Sequence, residues 1–350
     1  MTTAPTGTDV VADYEALRHG VGAYRLARDV VTVTGPEAQG YLQGQLSQDV
    51  APLVVGGSVP ALLLEPDGKL SALLRVTRTG EDAYALDTDA GFGATVADRL
   101  MRFRLRTKVD IEIAAWPCVA LRGAGLANLA DLADLAGGDP GAAGAAASDA
   151  TAHHGGPPWA LAVDWHGTRG VDVVGPGAED RVPATARWCG PEAWEALRVE
   201  AGIPVMGAEL DGRTIAAEAG LVERTVSFTK GCYTGQELVA RLDARGNRVA
   251  RRLCGIVAGD LPAGDTARLV GATLRVAGAD KPVGRCTSAA WSPALGAPVA
   301  LAYLHRSVEV PATLRAALDG DAVGDDADAD VVDVADAVDV DARALPLVEG

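Results

Sequence analysis

Strand-like and helix-like stretches interleave along the first 115 residues without a regular βαβ repeat and without a Gly-rich phosphate loop. That excludes a doubly wound parallel sheet and leaves an α+β fold. Residues 30–33 form a β-branched run, and Thr34-Gly35-Pro36-Glu37 follows with capping-box spacing. Ala38, Tyr41, Leu42 and Leu46 then recur at helical intervals. Residues 62–65 and 70–77, joined by Pro66-Asp67-Gly68, read as a β-hairpin; 84–86 is a further strand and 96–103 a helix. A second unit opens near Trp116-Pro117, with an alanine-rich helix at 126–135 and a Gly/Ala/Ser/Pro loop at 137–158. Its last helix is punctuated by Pro191 in the first turn and Gly202 at the stop. From Leu253 onward, short apolar segments alternate with Gly and Pro turns, as in a small antiparallel barrel. The expected divisions are 1–115, 116–248 and 249–350.

The formal charge of −16 is unevenly spread. From Asp319 onward there are eleven acids and one arginine, which accounts for −10 and leaves only −6 for the rest. The acidic run at 319–341 reads as a solvated insertion or frayed edge, with 344–348 available as a last strand. Such a chain does not favour non-specific binding to nucleic-acid phosphates, and no direct nucleic-acid partner is expected. Arg245, Arg248, Arg251 and Arg252 form a local basic cluster, either a solvated turn and strand edge or a landing site for an anion. No apolar run approaches the ~20 residues that cross a bilayer, and no secretion signal is visible, so a cytoplasmic protein without membrane contact is expected. The five cysteines include no C-x-x-C pair, in keeping with a reducing compartment. No metal site is expected: His153-His154 has no Cys or carboxylate partners at ligand spacing.

One octet concentrates chemistry: Lys230-Gly231-Cys232-Tyr233-Thr234-Gly235-Gln236-Glu237. Thr234 and Glu237 have capping-box spacing, so a helix is expected to start at Thr234 and continue through Leu238, Val239 and Leu242. Cys232 would then lie near the positive end of a helix dipole with Lys230 beside it. Both effects favour thiolate over thiol. Cys118, Cys254 and Cys286 sit in apolar or strand-like settings and are expected in the core, while Cys189 is unassigned. Four clustered thiolates are lacking, so a resident iron–sulfur cluster is not expected.

This octet resembles the signature of the YgfZ family of folate-binding proteins, relatives of the glycine-cleavage T protein (aminomethyltransferase). The segments 239–246, Arg198-Val199-Glu200-Ala201-Gly202, 40–49, 283–288 and Ser292-Pro293 are also similar to the family pattern. The resemblance implies a three-lobed T-protein-like fold, with two α/β lobes and a C-terminal antiparallel β-barrel. It implies tetrahydrofolate or another reduced folate as ligand, and support of iron–sulfur enzymes, including tRNA-modifying ones, through transient contact. A monomer is expected.

By the same resemblance, Glu200 accepts from the pterin ring, whose donor–donor edge suits a carboxylate. Cys232 is the reactive thiol and Lys230 its electrostatic activator. Tyr233 is a packing wall, Gln236 a further folate contact, and Arg241 orients ligand or thiolate. Where T proteins carry an Asp-Asp pair, the hairpin here has Ala72-Leu73, which cannot stabilise a developing positive charge. The chain therefore resembles the folate-binding cousin. The alternative is a true folate-dependent one-carbon transferase or demethylase, with Asp67 or Asp87 replacing the missing acid.

Overall fold

The computed structural model describes residues 9–128, 157–318 and 337–349. Two five-stranded sheets and a closed six-stranded barrel make up the fold. The first sheet has the order β3 (Ser58–Leu64), β4 (Leu70–Gly80), β5 (Ala83–Asp89), β2 (Arg28–Thr34) and β6 (Asp110–Ala114), and every pairing is antiparallel. Helices α2 (Ala38–Gln45) and α3 (Gly93–Phe103) cover one face, where Tyr41, Leu42, Val96 and Leu100 meet Val31, Leu63, Leu74 and Leu86. The expected hairpin is β3–β4, with Gly68 at φ 83° in its turn. Thr34 ends β2 rather than capping α2. The N-cap is Glu37, whose side chain makes no cap bond and instead accepts from the Lys108 amide.

The second sheet runs β10 (Arg187–Trp188), β1 (Gly22–Leu26), β7 (Cys118–Arg122), β9 (Thr168–Val174) and β8 (Trp159–Trp165). Its β1 comes from the N-terminal segment, a correction to the expected boundary at residue 115. Leu26 pairs with Cys118 and Gly22 with Arg122, so the chain starts in the second lobe and only then builds the first. Helix α1 (Val10–Arg18) stays with it. Tyr14 and Leu17 pack on α4 (Pro191–Ala201) and, through that helix, on the barrel residues Val257, Val299 and Leu301. Both ends of α4 follow the sequence signals: Pro191 opens it, and Gly202 closes it at φ 70°.

The barrel order is β11 (Arg251–Val257), β14 (Ala297–His305), β13 (Pro282–Ser292), β12 (Thr273–Arg275), β15 (Ala312–Ala317) and β16 (Ala337–Arg343), closing back on β11. The last strand corrects the reading of 319–341 at its end only, since 319–336 lie outside the described residues. Val340 and Ala342 point into the barrel while Asp339 and Asp341 face water, so the end of the acidic run is an amphipathic strand of period two. Residues 344–348 are not a strand; Leu345 and Leu347 cover the α4 side of the barrel. Residues 137–156 of the expected loop at 137–158, and most of the expected helix at 126–135, lie outside the described residues. No helix of the described residues is long and apolar enough to cross a membrane.

The two sheets meet through buried ions. Arg28 and Arg75 both grip Asp87, Arg28 also holds Asp89, and Arg75 reaches across to Asp172 of the second sheet at 2.8 Å. Arg122 closes the chain of charges on Asp172 at 2.8 Å. Burial opposes the Arg75 charge, but Asp87 and Asp172 overcome it and hold the guanidinium above its usual range.

Candidate functional site

The segment from 203 to 243 bridges the lobes. Met206, Leu210, Ala219, Leu221, Val226, Tyr233 and Val239 pack on Leu62, Leu64 and Leu70 of the first sheet and on Tyr303 of the barrel. Partly buried Leu73, Phe92, Trp165 and Leu253 edge this cluster, so all three lobes contribute to its rim. After the short helix α5 (Val222–Thr225), the octet leaves the cluster as an irregular loop and re-enters at α6 (Gln236–Asp243).

The start of α6 differs from the expected capping box. Its N-cap is Gly235 at φ 82°, with no side-chain cap bond. Gln236 Oε1 instead accepts from the Tyr233 amide at 3.1 Å and so closes the turn from inside the helix. Glycine is required at 235 for two reasons. Its φ lies in the left-handed region, and a Cβ there would come within 2.5 Å of the Glu65 carbonyl oxygen. Gly235→Ala is expected to lower stability by about 1–3 kcal/mol, measured by thermal unfolding.

The predicted site residues are not gathered into one cavity. Cys232 is exposed, whereas Cys118, Cys254 and Cys286 are buried, as their settings implied. Cys189 is half-buried, with its thiol on the Asp13 and Arg187 carbonyls and burial pushing it up to about 12. The Lys230 ammonium is directed at backbone carbonyls. Its Nζ donates to the carbonyls of Gln43 (2.7 Å), Leu46 (2.7 Å) and Gln48 (2.9 Å) and lies 5.3 Å from the Tyr233 ring. Burial pulls this ammonium down to about 8, with Asp49 opposing. Every ammonium hydrogen is thus committed to a backbone carbonyl rather than to the Cys232 thiol.

Tyr233 is buried in the cluster at the junction. Gln236 is spent on the Tyr233 amide rather than displayed toward a ligand. Arg241 is exposed on α6 and makes no ion pair among the described residues. Of the basic cluster, Arg251 pairs with Glu218 and lies over the Tyr303 ring, Arg252 donates to the Val308 carbonyl, and Arg245 and Arg248 are exposed.

Glu200 requires the largest correction. It is 0% exposed, accepting from Tyr14 Oη at 2.6 Å and Ser292 Oγ at 2.5 Å between α1, α4 and the barrel. Burial raises its pKa against the two hydrogen bonds. In this arrangement a ligand cannot reach either oxygen. The carboxylate that ties the junction together is Glu209, which the sequence reading missed. It is buried against Arg198 Nη1 (3.1 Å), the Val205 amide (3.1 Å), Thr287 Oγ1 (2.7 Å) and Ser288 Oγ. Its signal was available: one acid between Met206 and Leu210, both buried.

At the hairpin, Ala72 is in the core of the first lobe, while Leu73 faces the junction, its amide 3.4 Å from Met206 Sδ. Asp87 is locked between Arg28 and Arg75, and Asp67 sits out on the turn with Lys69. A polar cavity of about 610 Å³ opens beside Glu37, Gln39, Tyr41, Arg78 and Asp82, and none of the predicted site residues lines it. No group of three or more potential metal ligands occurs among the described residues.

Comparison with known proteins agrees with this architecture. Residues 251–335 match the glycine cleavage T-protein C-terminal barrel domain. The tRNA-modifying protein YgfZ of Klebsiella pneumoniae is 32% identical over 223 residues, 62% of this chain and 65% of that protein. An aminomethyltransferase of Streptomyces avermitilis is 29% identical over 324 residues, 88% of this chain and 84% of that protein. The glycine cleavage system aminomethyltransferase T of Bartonella henselae superposes with a TM-score of 0.74 at 21% identity, over 97% of this chain and 90% of that one. The chain spans just under two thirds of the length of the YgfZ proteins it matches, 65% of the Klebsiella protein. The chain is thus similar to YgfZ proteins over 62% of its length and has the fold of the T protein of glycine cleavage.

Proposed function

We propose that this protein binds a reduced folate, tetrahydrofolate first among them, at the junction of its three lobes. In this reading it serves the upkeep of iron–sulfur enzymes, including those that modify tRNA, and is not a one-carbon transferase. The observation that carries the reading is a T-protein fold with Ala72 in the core and Leu73 at the junction, the positions at which the resemblance sets the two aspartates of T proteins. Both acids that could have replaced them are otherwise engaged, Asp87 by two arginines and Asp67 by Lys69 on the exposed turn. Aminomethyl transfer needs a group that stabilises positive charge developing on the donor, and neither position supplies one.

The residues present fit part of the ligand. Leu73, Phe92 and Trp165 offer partly buried apolar surface to a flat ring, and the Trp165 indole N–H has no hydrogen-bond partner among the described residues. Glu200 does not fit, because its carboxylate is sealed between Tyr14 and Ser292. Cys232, exposed beside the junction, is the group offered to a client enzyme or an electrophile.

Isothermal titration with tetrahydrofolate tests the binding. A Kd in the micromolar range or tighter, about −8 kcal/mol, is expected, together with no methylenetetrahydrofolate from a glycine-derived donor. Absence of binding to every reduced folate would remove the ligand from the proposal. Transfer at T-protein-like rates would instead favour the transferase alternative.

A further inference from the structure

The Lys230 ammonium lies at the end of α2, and this placement gives the octet a mechanical reading. Helix α2 stops at Gln45, leaving last-turn carbonyls without partners four residues ahead. Two of them, Gln43 and Gly44, are taken by the octet: Gln43 by Lys230 Nζ and Gly44 by the Thr234 amide at 3.1 Å. The same ammonium takes Leu46 and Gln48 in the turn that follows. A cation at this end of a helix also meets the negative end of its dipole. Just upstream, the Ser227 amide donates to the Ser47 carbonyl at 3.0 Å, and Ser47 Oγ donates to the Thr225 carbonyl at 2.5 Å. The loop is thus fastened to residues 43–48 on both sides. Between the fastenings Gly231 and Cys232 are exposed and make no hydrogen bond among the described residues.

We propose that Lys230 is a positioning residue: it caps the C-terminal end of α2 from across the lobe and thereby holds Cys232 out on a fixed arch, rather than activating the thiol as its charge partner. The consequence for chemistry rests on Cys232 being the reactive group of the proposed function, but the arch itself does not. Fixing both feet of a short arch lowers the ordering cost when a client reaches the thiol. The basic residue and the cysteine are then coupled through backbone geometry, and the lysine charge is spent on carbonyls.

Two readouts separate the arch from the thiol reading. Amide hydrogen exchange at Ser227 and Thr234 reports the fastenings, and site-resolved iodoacetamide labelling of Cys232 against pH reports the thiol. In Lys230→Met, exchange at both amides is expected to rise about tenfold or more as local opening becomes easier. The midpoint of the Cys232 labelling profile is expected to stay in place. Lys230→Gln keeps amide donors without charge, so its exchange should fall between wild type and Lys230→Met, again with an unmoved midpoint. It also decides the question if Lys230→Met fails to fold. A midpoint raised by about half a pH unit or more in either variant would restore the charge-partner role and overturn the proposal. Unchanged exchange at both amides would overturn the cap. A thiol that barely labels in wild type, with exchange behaving as expected, would leave the arch standing and remove only the reactive-thiol reading.

Discussion

Replacing Asp87 by alanine is expected to destabilise the protein by about 3–5 kcal/mol, because the change leaves buried guanidinium groups short of their counter-charge. Asp87 is 2% exposed and accepts from Arg28 Nε and from Nε and Nη2 of Arg75. Arg28 would keep Asp89 and Arg75 would keep Asp172, so the loss is partial at each arginine and summed over two. The Arg75–Asp172 contact joins the two sheets, so damage on the Asp87 side is transmitted to the lobe boundary. Urea unfolding measures the cost, and a loss below about 1 kcal/mol would mean that these ions behave like a surface pair. Replacing Arg28, Asp87 and Arg75 together with apolar residues of similar volume should recover much of the loss, as buried ion groups often allow. The same variant bears on chemistry. Both Asp87 carboxylate oxygens are taken by arginines, so Asp87→Ala should change stability without uncovering or abolishing any folate-dependent transfer.

What the sequence made legible was decided locally. Helix α4 was bracketed by Pro191 and Gly202, each residue matching a backbone requirement at its own position. The β3–β4 hairpin followed from a turn and two apolar runs, and the barrel from its spacing of turns. Placement of β1 was not legible, because its pairing with β7 is fixed by contacts nearly a hundred residues away in the chain. Capping-box spacing misled twice. At Thr34 the residue was the end of a strand. At Thr234 a left-handed glycine and the Gln236 side chain did the capping. The ions in the core left a trace in the pattern, since Arg75 interrupts the apolar run of β4, but its partners on β5 and β9 could not be read from that. For the octet, the placement of Cys232 outside the core was legible, whereas the direction of Lys230 was not. A flexible side chain with three donors goes where unpaired carbonyls lie, and those belong to a helix almost two hundred residues earlier.

The two glutamates near the junction should behave in opposite ways, and this contrast tests the correction made at Glu200. Glu209 faces a cation, with Arg198 Nη1 on its Oε2, and receives the Val205 amide and two barrel hydroxyls besides. Glu209→Ala is expected to cost about 3–5 kcal/mol, since a buried Arg198 would keep only Glu195 and the Ile203 carbonyl, Ser288 Oγ would lose its acceptor and Thr287 Oγ1 would keep only the Leu301 carbonyl. Among the described residues Glu200 has only two hydroxyl donors and no ion pair, and burial raises its pKa. Glu200→Gln keeps an acceptor and removes a buried charge, so its effect near neutral pH should lie within about 1 kcal/mol of zero. The sign of its pH dependence follows from the raised folded-state pKa. The native carboxyl holds its proton more tightly than the unfolded one, so its stabilising contribution is complete below the ordinary glutamate range, near 4.5, and is lost as pH rises through the elevated native value. Wild type should therefore lose stability relative to Glu200→Gln on going upward from that range, and the two urea midpoints should converge in acid. Folate affinity should be the same in both proteins. A large loss of affinity in Glu200→Gln with unchanged stability would return the pterin contact to Glu200 and require that the seal formed by Tyr14 and Ser292 opens when ligand binds.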